Sequence, residues 1–98
     1  MKTNKLINNK EEHRYEYIVG NDHPHIAYQI RGKDIYLTHT RIPETLRGKG
    51  LGTKLVEDVL EDIEKQGYKL VPLCSFVAGY IKRHPEWTAC LKEGIYLG

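Results

Sequence analysis

The chain is short of cysteine, of net charge and of long apolar runs, and each shortage removes a class of protein. Its 98 residues hold two cysteines, Cys74 and Cys90, with no CxxC between them. A secreted domain of this size usually carries several disulfides. Met1 to Lys10 is polar and lacks the apolar core of a signal peptide. The expectation is a reduced, cytoplasmic protein. Fifteen Lys and Arg against thirteen Asp and Glu leave a formal charge of +2, too little by itself to argue for nucleic acid. No apolar run approaches the roughly 20 residues of a membrane helix, so no membrane role is expected. A chain that is 40% hydrophobic and 29% charged is nevertheless apolar enough to fold. The length suits one small domain built from a sheet and a few helices.

Residues 1–13 are rich in Asn, Lys and Glu and read as a flexible lead-in, leaving 14–98 as a single domain. Tyr15, Tyr17 and Val19 alternate with Glu16 and Ile18, and Gly20-Asn21-Asp22 makes a turn. His25 to Ile30 can return as the second strand of a hairpin. After the turn Arg31-Gly32-Lys33-Asp34, Ile35 to Thr40 is β-branched and aromatic and reads as a third strand. The period then changes. Leu51, Leu55, Val56, Val59, Leu60 and Ile63 form one stripe of a 3.6-residue helix, with Glu57, Asp58, Glu61, Asp62, Glu64 and Lys65 on the wet face and Gly67 as the C-cap. Lys69 to Leu73 reads as a strand buried on both faces. Pro72 removes a ladder donor there and marks an edge or a break in pairing. Ser75 to Arg83 reads as a second helix that ends near His84-Pro85, with a short turn around Trp87.

The order β-β-β-α-β-α predicts an α+β fold of α/β character: an antiparallel meander, then a right-handed βαβ crossover over 35–73, then a C-terminal helix. The crossover brings the ends of its two parallel strands to one sheet edge. His39-Thr40 should face Cys74-Ser75 there, at the edge where ligands bind in open α/β sheets.

The helix entry reads Arg47-Gly48-Lys49-Gly50-Leu51-Gly52. Glycine lets backbone N–H groups approach a ligand, and a helix start offers unpaired N–H groups and partial positive charge. Together they make an anion site suited to phosphate. Arg41, Arg47, Lys49 and Lys54 surround it, opposed only by Glu44. The spacing is neither the GxGxxG of a dinucleotide fold nor a nucleoside triphosphate loop. Taken alone, the hexapeptide also suits a glycine-rich helix entry with no ligand.

Segment 35–66 resembles motif A of the GNAT superfamily, the acetyl-CoA-dependent N-acetyltransferases. His39-Thr40, Pro43-Glu44, Arg47 to Gly52, Pro72-Leu-Cys-Ser-Phe76 and Tyr80-Ile-Lys-Arg-His-Pro85 together resemble a small GNAT subfamily of about this length. The resemblance implies a GNAT-like mixed sheet and acetyl transfer from acetyl-CoA to a small amine or a lysine side chain. It places CoA pyrophosphate on backbone donors at Arg47, Gly48, Lys49, Gly50, Leu51 and Gly52, with pantetheine between the splayed strands near Ile42 and Leu73. Thr40, Arg41, Thr53 and Ser75 complete the implied cofactor contacts, and Lys82, in a basic cluster with Arg83 and His84, could meet the adenosine phosphates or be a solvated helix end. Tyr80 resembles the helix tyrosine that donates a proton to the CoA thiolate in many members, though packing would also explain a tyrosine there.

Cys74 stands at a strand end just before a helix, a position that favours thiolate. With His39 opposite, it suggests an acetyl-cysteine step, against the plainer reading of a small idle thiol. His39 could also act as a base or satisfy a strand-end contact. Ser75 is expected to cap the second helix. His23-Pro-His25 has the form of a metal pair but no third ligand in view, and no metal is expected. Trp87 reads as core or rim. The competing function is a non-catalytic CoA or acyl-CoA binding module. A nucleic-acid binder lacks the interleaved aromatics and basic excess. GNAT domains are commonly longer and wall in the acceptor. The short Gly20 to Pro24 turn therefore predicts an open acceptor side, low selectivity or a protein partner that completes the site.

Overall fold

The computed structural model describes residues 4–48 and 50–97. Ile7–Asn9 (β1), Arg14–Glu16 (β2), His25–Arg31 (β3) and Asp34–Arg41 (β4) form an antiparallel meander, and Lys69–Pro72 (β5) joins β4 in parallel. The sheet order is β1-β2-β3-β4-β5. Leu51–Gln66 (α1) makes the crossover between the two parallel strands and Ser75–Arg83 (α2) follows β5. The mixed α+β architecture is the one the element order predicts, with one strand more.

That strand, β1, lies within the segment read as a lead-in. Its Ile-Asn-Asn sequence has no apolar alternation to announce it. Polar contacts from distant residues anchor it instead. Asn9 Nδ2 donates to Glu16 Oε2 at 3.3 Å, and the Tyr28 hydroxyl donates to Asn8 Oδ1 at 2.6 Å. The sheet therefore begins at Ile7.

The α1 stripe packs as its period requires. Leu55, Val56, Val59, Leu60 and Ile63 are fully buried against Ile26, Ile35 and Leu37 of the sheet and Val77, Tyr80 and Ile81 of α2. Gly67 ends α1 in the left-handed region at φ 80°, its N–H bonded to the Glu64 carbonyl at 3.1 Å. Both helices share one core and therefore one face of the sheet, and among the described residues no helix covers the other, bare face. β5 is buried on both faces over Leu70, Val71 and Pro72, as expected, but the strand stops at Pro72, and Leu73 just beyond it is 62% exposed. The break marked by Pro72 is real: the last β4–β5 pair is Leu37↔Pro72. The outer edge of β5 meets the C-terminal segment through a Leu70↔Leu91 bridge, closed by Lys92 N–H to the Leu70 carbonyl at 2.8 Å.

Three acidic residues assigned to the wet face of α1 have a second role. The hydroxyl of Tyr15 donates to Asp62 Oδ2 at 2.7 Å, that of Tyr17 donates to Asp58, and that of Tyr80 reaches Glu57 Oε2 at 3.3 Å. Tyr15 and Tyr17 are buried, so their phenols need an acceptor at the core margin. Burial, reinforced by these carboxylates, pushes both phenols far above their ordinary range.

Candidate functional site

Beyond Leu37↔Pro72 the two parallel strands part. The Leu37 carbonyl accepts from Leu73 N–H and from Cys74 N–H, both at 3.0 Å, and the chain turns into α2. β4 continues to Arg41 with no strand on that side, so its backbone groups face a gap. The starts of α1 and α2 close over the gap and meet where Phe76 lies against Gly52.

A cavity of about 470 Å³ opens at this meeting point, lined by Thr40, Ile42, Leu46, Arg47, Gly48, Gly50, Leu51, Gly52, Thr53 and Phe76. Gly48 and Gly50 take left-handed backbone, φ 80° and 74°, a conformation that costs other residues about 1–2 kcal/mol. Gly50 caps α1, and its carbonyl accepts the first helical bond, from Lys54 N–H at 3.1 Å. The N–H groups of Leu51, Gly52 and Thr53 are thus the unpaired donors of the helix start. The first turn carries no acidic residue, which keeps its positive end available to an anion. A Cβ on Gly52 would stand 2.9 Å from Phe76 Cζ and 3.5 Å from Ile42 Cγ1. Only glycine lets the ring lie that close to the backbone. Arg47 Nε donates to the Ile42 carbonyl at 3.1 Å, tying the loop to the end of β4.

The expected His39–Cys74 pair does not form. Simple alternation places His39 on the face of Ile35 and Leu37. In the structure Ala27 pairs with His39 while Tyr28 pairs with Leu37, so Thr38 is an extra residue, a β-bulge. The insertion reverses the alternation beyond it. Thr40 turns toward the helices, and its hydroxyl lies 3.0 Å from Cys74 Sγ. His39 turns to the bare face, its ring centroid 6.5 Å from that of His25. A threonine hydroxyl cannot take the thiol proton, and among the described residues no base is hydrogen-bonded to Cys74 Sγ.

Other assignments also move. Cys74 is itself the N-cap of α2, and Ser75 is the first helical residue, with no side-chain capping bond. Tyr80 is buried and turned to Glu57, stacked on His84 at 4.3 Å. Burial first, then the Glu57 carboxylate, push its phenol up, which makes it a poorer proton donor. It does not line the cavity. Arg41 pairs with His25 on the bare face, and Lys82 sits in the last turn of α2. Lys49 lies outside the described residues. Of the residues assigned to the cofactor, Thr40, Ile42, Arg47, Gly48, Gly50, Leu51, Gly52 and Thr53 are brought together. Leu46 and Phe76 were given no role. Phe76 is the only phenylalanine in the chain, and it stands on the first turn of a helix beginning at the sheet edge, which was the available signal. Both cysteines are free, and among the described residues no three His, Cys, Asp or Glu side chains converge on a metal position.

A family model described as GCN5-related N-acetyl-transferase matches residues 14–90. Among curated proteins, the chain is 30% identical over 61 residues to Protein NATD1 of Gallus gallus and of Mus musculus, covering 61% of this chain and 56% of each relative. NATD1 of Homo sapiens matches equally over 54% of its length. The match thus spans about half the length of these relatives. Among solved structures, a GCN5-like protein from Staphylococcus aureus, determined in solution by NMR, superposes with a TM-score of 0.72 at 20% identity, over 98% of this chain and 94% of that one. At that identity the likeness concerns the fold.

Proposed function

The chain belongs to the GCN5-related N-acetyltransferases, and from that premise we propose that it binds acetyl-CoA in the cavity at the start of α1 and transfers the acetyl group directly to an amine. The observation that carries this reading is the bare backbone at Gly48, Gly50 and Gly52. It leaves the N–H groups of a helix start open to a pyrophosphate, and a side chain at Gly52 would push the Phe76 ring out of its place on the cavity wall. Ile42 and the unpartnered edge of β4 suit an extended, amide-bearing arm in the gap. The donor supplies an activated thioester; the chain supplies position and hydrogen-bond donors, each worth about 3–4 kcal/mol at most. His39, on the bare face, is the side chain we assign to take the amine proton. Arg41 stands near it and Leu73 and Ser75 lie where β5 passes into α2, whereas Lys82 lines a separate hollow with the C-terminal segment.

Direct transfer is preferred because, among the described residues, the hydrogen-bond partner of Cys74 Sγ is the Thr40 hydroxyl and not a base. An acetyl-Cys74 intermediate is the second reading, favoured by a partly exposed thiol at the gap. Incubation with acetyl-CoA followed by intact mass measurement separates them. Direct transfer predicts no added acetyl mass on the wild type and a Cys74→Ala variant that still turns over. An acetylated species lost in Cys74→Ala overturns it.

The cofactor assignment is tested by thermal shift with acetyl-CoA, CoA and ATP. Acetyl-CoA and CoA at a hundredfold excess over Kd should stabilise the fold by about 2.7 kcal/mol, with ATP far less effective. No shift with millimolar CoA would refute the site. A shift without turnover on any amine would favour a CoA-binding module.

A further inference from the structure

On the bare face of the sheet a second hollow of about 460 Å³ lies beside the gap, lined by Gln29, Arg31, Tyr36, Thr38 and Leu73. Thr38 is the bulge residue, and Leu73 is the last residue before α2 begins. The hollow therefore adjoins the gap from the side opposite the helices, and its size is within the range of small-ligand sites.

The charges around the hollow are unequal. Arg31 pairs in register with Asp34, which would ordinarily neutralise it. Asp34 instead holds Lys92, Nζ to Oδ2, at 2.6 Å. Arg14, further along the same face, is engaged by Glu16 at 2.8 Å. Among the described residues Arg31 has no carboxylate within ion-pair distance, and no carboxylate lines the hollow. An acceptor recognised only as a cation would find no counter-charge there. The Tyr36 ring and the exposed Leu73 side chain offer an apolar floor beside one free guanidinium.

Building on the proposed acetyl transfer, we infer that this hollow is the acceptor site and that it selects a small amine bearing a carboxylate. The guanidinium fork of Arg31 holds the carboxylate, Tyr36 and Leu73 receive the body of the molecule, and the amine points into the gap. The amine nitrogen forms a C–N bond to the thioester carbonyl carbon, and the C–S bond breaks. The free thiol of CoA leaves, and one proton is released for each ammonium consumed. Arg31 is the residue that determines specificity.

The experiment compares acetylation of phenylalanine and phenylalaninamide by wild type and by Arg31→Gln, with the acetyl-CoA thermal shift recorded for both proteins. The wild type should use the acid with a kcat/KM at least about tenfold above that of the amide. Arg31→Gln should erase this ratio while keeping the acetyl-CoA shift. Equal use of acid and amide by the wild type, or a ratio that persists in Arg31→Gln, overturns the inference alone, because an intact shift keeps the cofactor reading. No acetyl-CoA shift in wild type overturns both.

Discussion

Replacing Gly52 with alanine is expected to leave the protein folded and to weaken acetyl-CoA binding at least about tenfold, equivalent to about 1.4 kcal/mol. Gly52 is in the first turn of α1, and the Phe76 ring lies directly against it at the cavity wall. An added Cβ would sit 2.9 Å from Phe76 Cζ and 3.3 Å from Cε2, with Ile42 Cγ1 at 3.5 Å on the other side. The ring must move. It is 39% exposed, so it can swing at little cost to the core. Alanine in a helix is also favoured over glycine by about 1 kcal/mol. The two effects oppose each other, and the melting temperature should change by only a few degrees. Binding is different, because the new methyl and the displaced ring occupy the surface a pyrophosphate would approach. Isothermal titration with acetyl-CoA measures this, and Gly52→Ala combined with Phe76→Leu should recover part of the loss. An unchanged Kd in Gly52→Ala would mean that the ligand does not use this backbone.

The second large effect is on stability at alkaline pH. Tyr15 and Tyr17 have phenol pKa values raised in the folded state by burial and by their bonds to Asp62 and Asp58. In the unfolded chain they ionise near pH 10. Above that pH the unfolded state binds fewer protons than the native state, so stability falls as pH rises. Each tyrosine contributes a slope of about 1.4 kcal/mol per pH unit, and together they remove about 4 kcal/mol by roughly pH 11.5. Below about pH 9 the contribution is fully present. Tyr15→Phe and Tyr17→Phe should each be less stable at pH 7 by about 1.5–3 kcal/mol, the worth of a hydrogen bond to a charged group. Each variant should lose stability less steeply above pH 10. Urea melts of the three proteins at pH 7, 9 and 11 give the comparison. Parallel pH curves for wild type and variants would show that these phenols do not stay protonated in the folded state.

Local signals carried much of the fold. The α1 stripe, the left-handed cap at Gly67, the span of α2 and the break at Pro72 all follow from periodicity or from a glycine or proline. The features that sequence left hidden depend on partners far along the chain. β1 is stabilised by Asn8 and Asn9 bonding Tyr28 and Glu16, and nothing within Ile7–Asn9 signals it. The acidic residues of α1 look like solvent-facing charges until three tyrosines are brought to them. At the candidate site, the glycine loop was legible because glycine has a conformational meaning of its own. The His39–Cys74 pairing was not, because one extra residue at Thr38 changes the facing of every side chain after it, and IYLTHT contains no glycine or proline to mark a bulge.

The contact between Gly52 and Phe76 also has an electrical side. It joins two helices at their beginnings, so two backbone dipoles present the same pole side by side. Each contributes roughly half an elementary charge at its start. The rim of the gap therefore carries on the order of one positive charge from the main chain alone, before Arg47 is counted. Like poles repel, and the ligand-free protein bears that repulsion in its resting state. A polyanion seated there would relieve it as well as being attracted by it. Dissolved salt would weaken both the relief and the attraction, so the two losses add and the preference for the bound form falls as ionic strength rises.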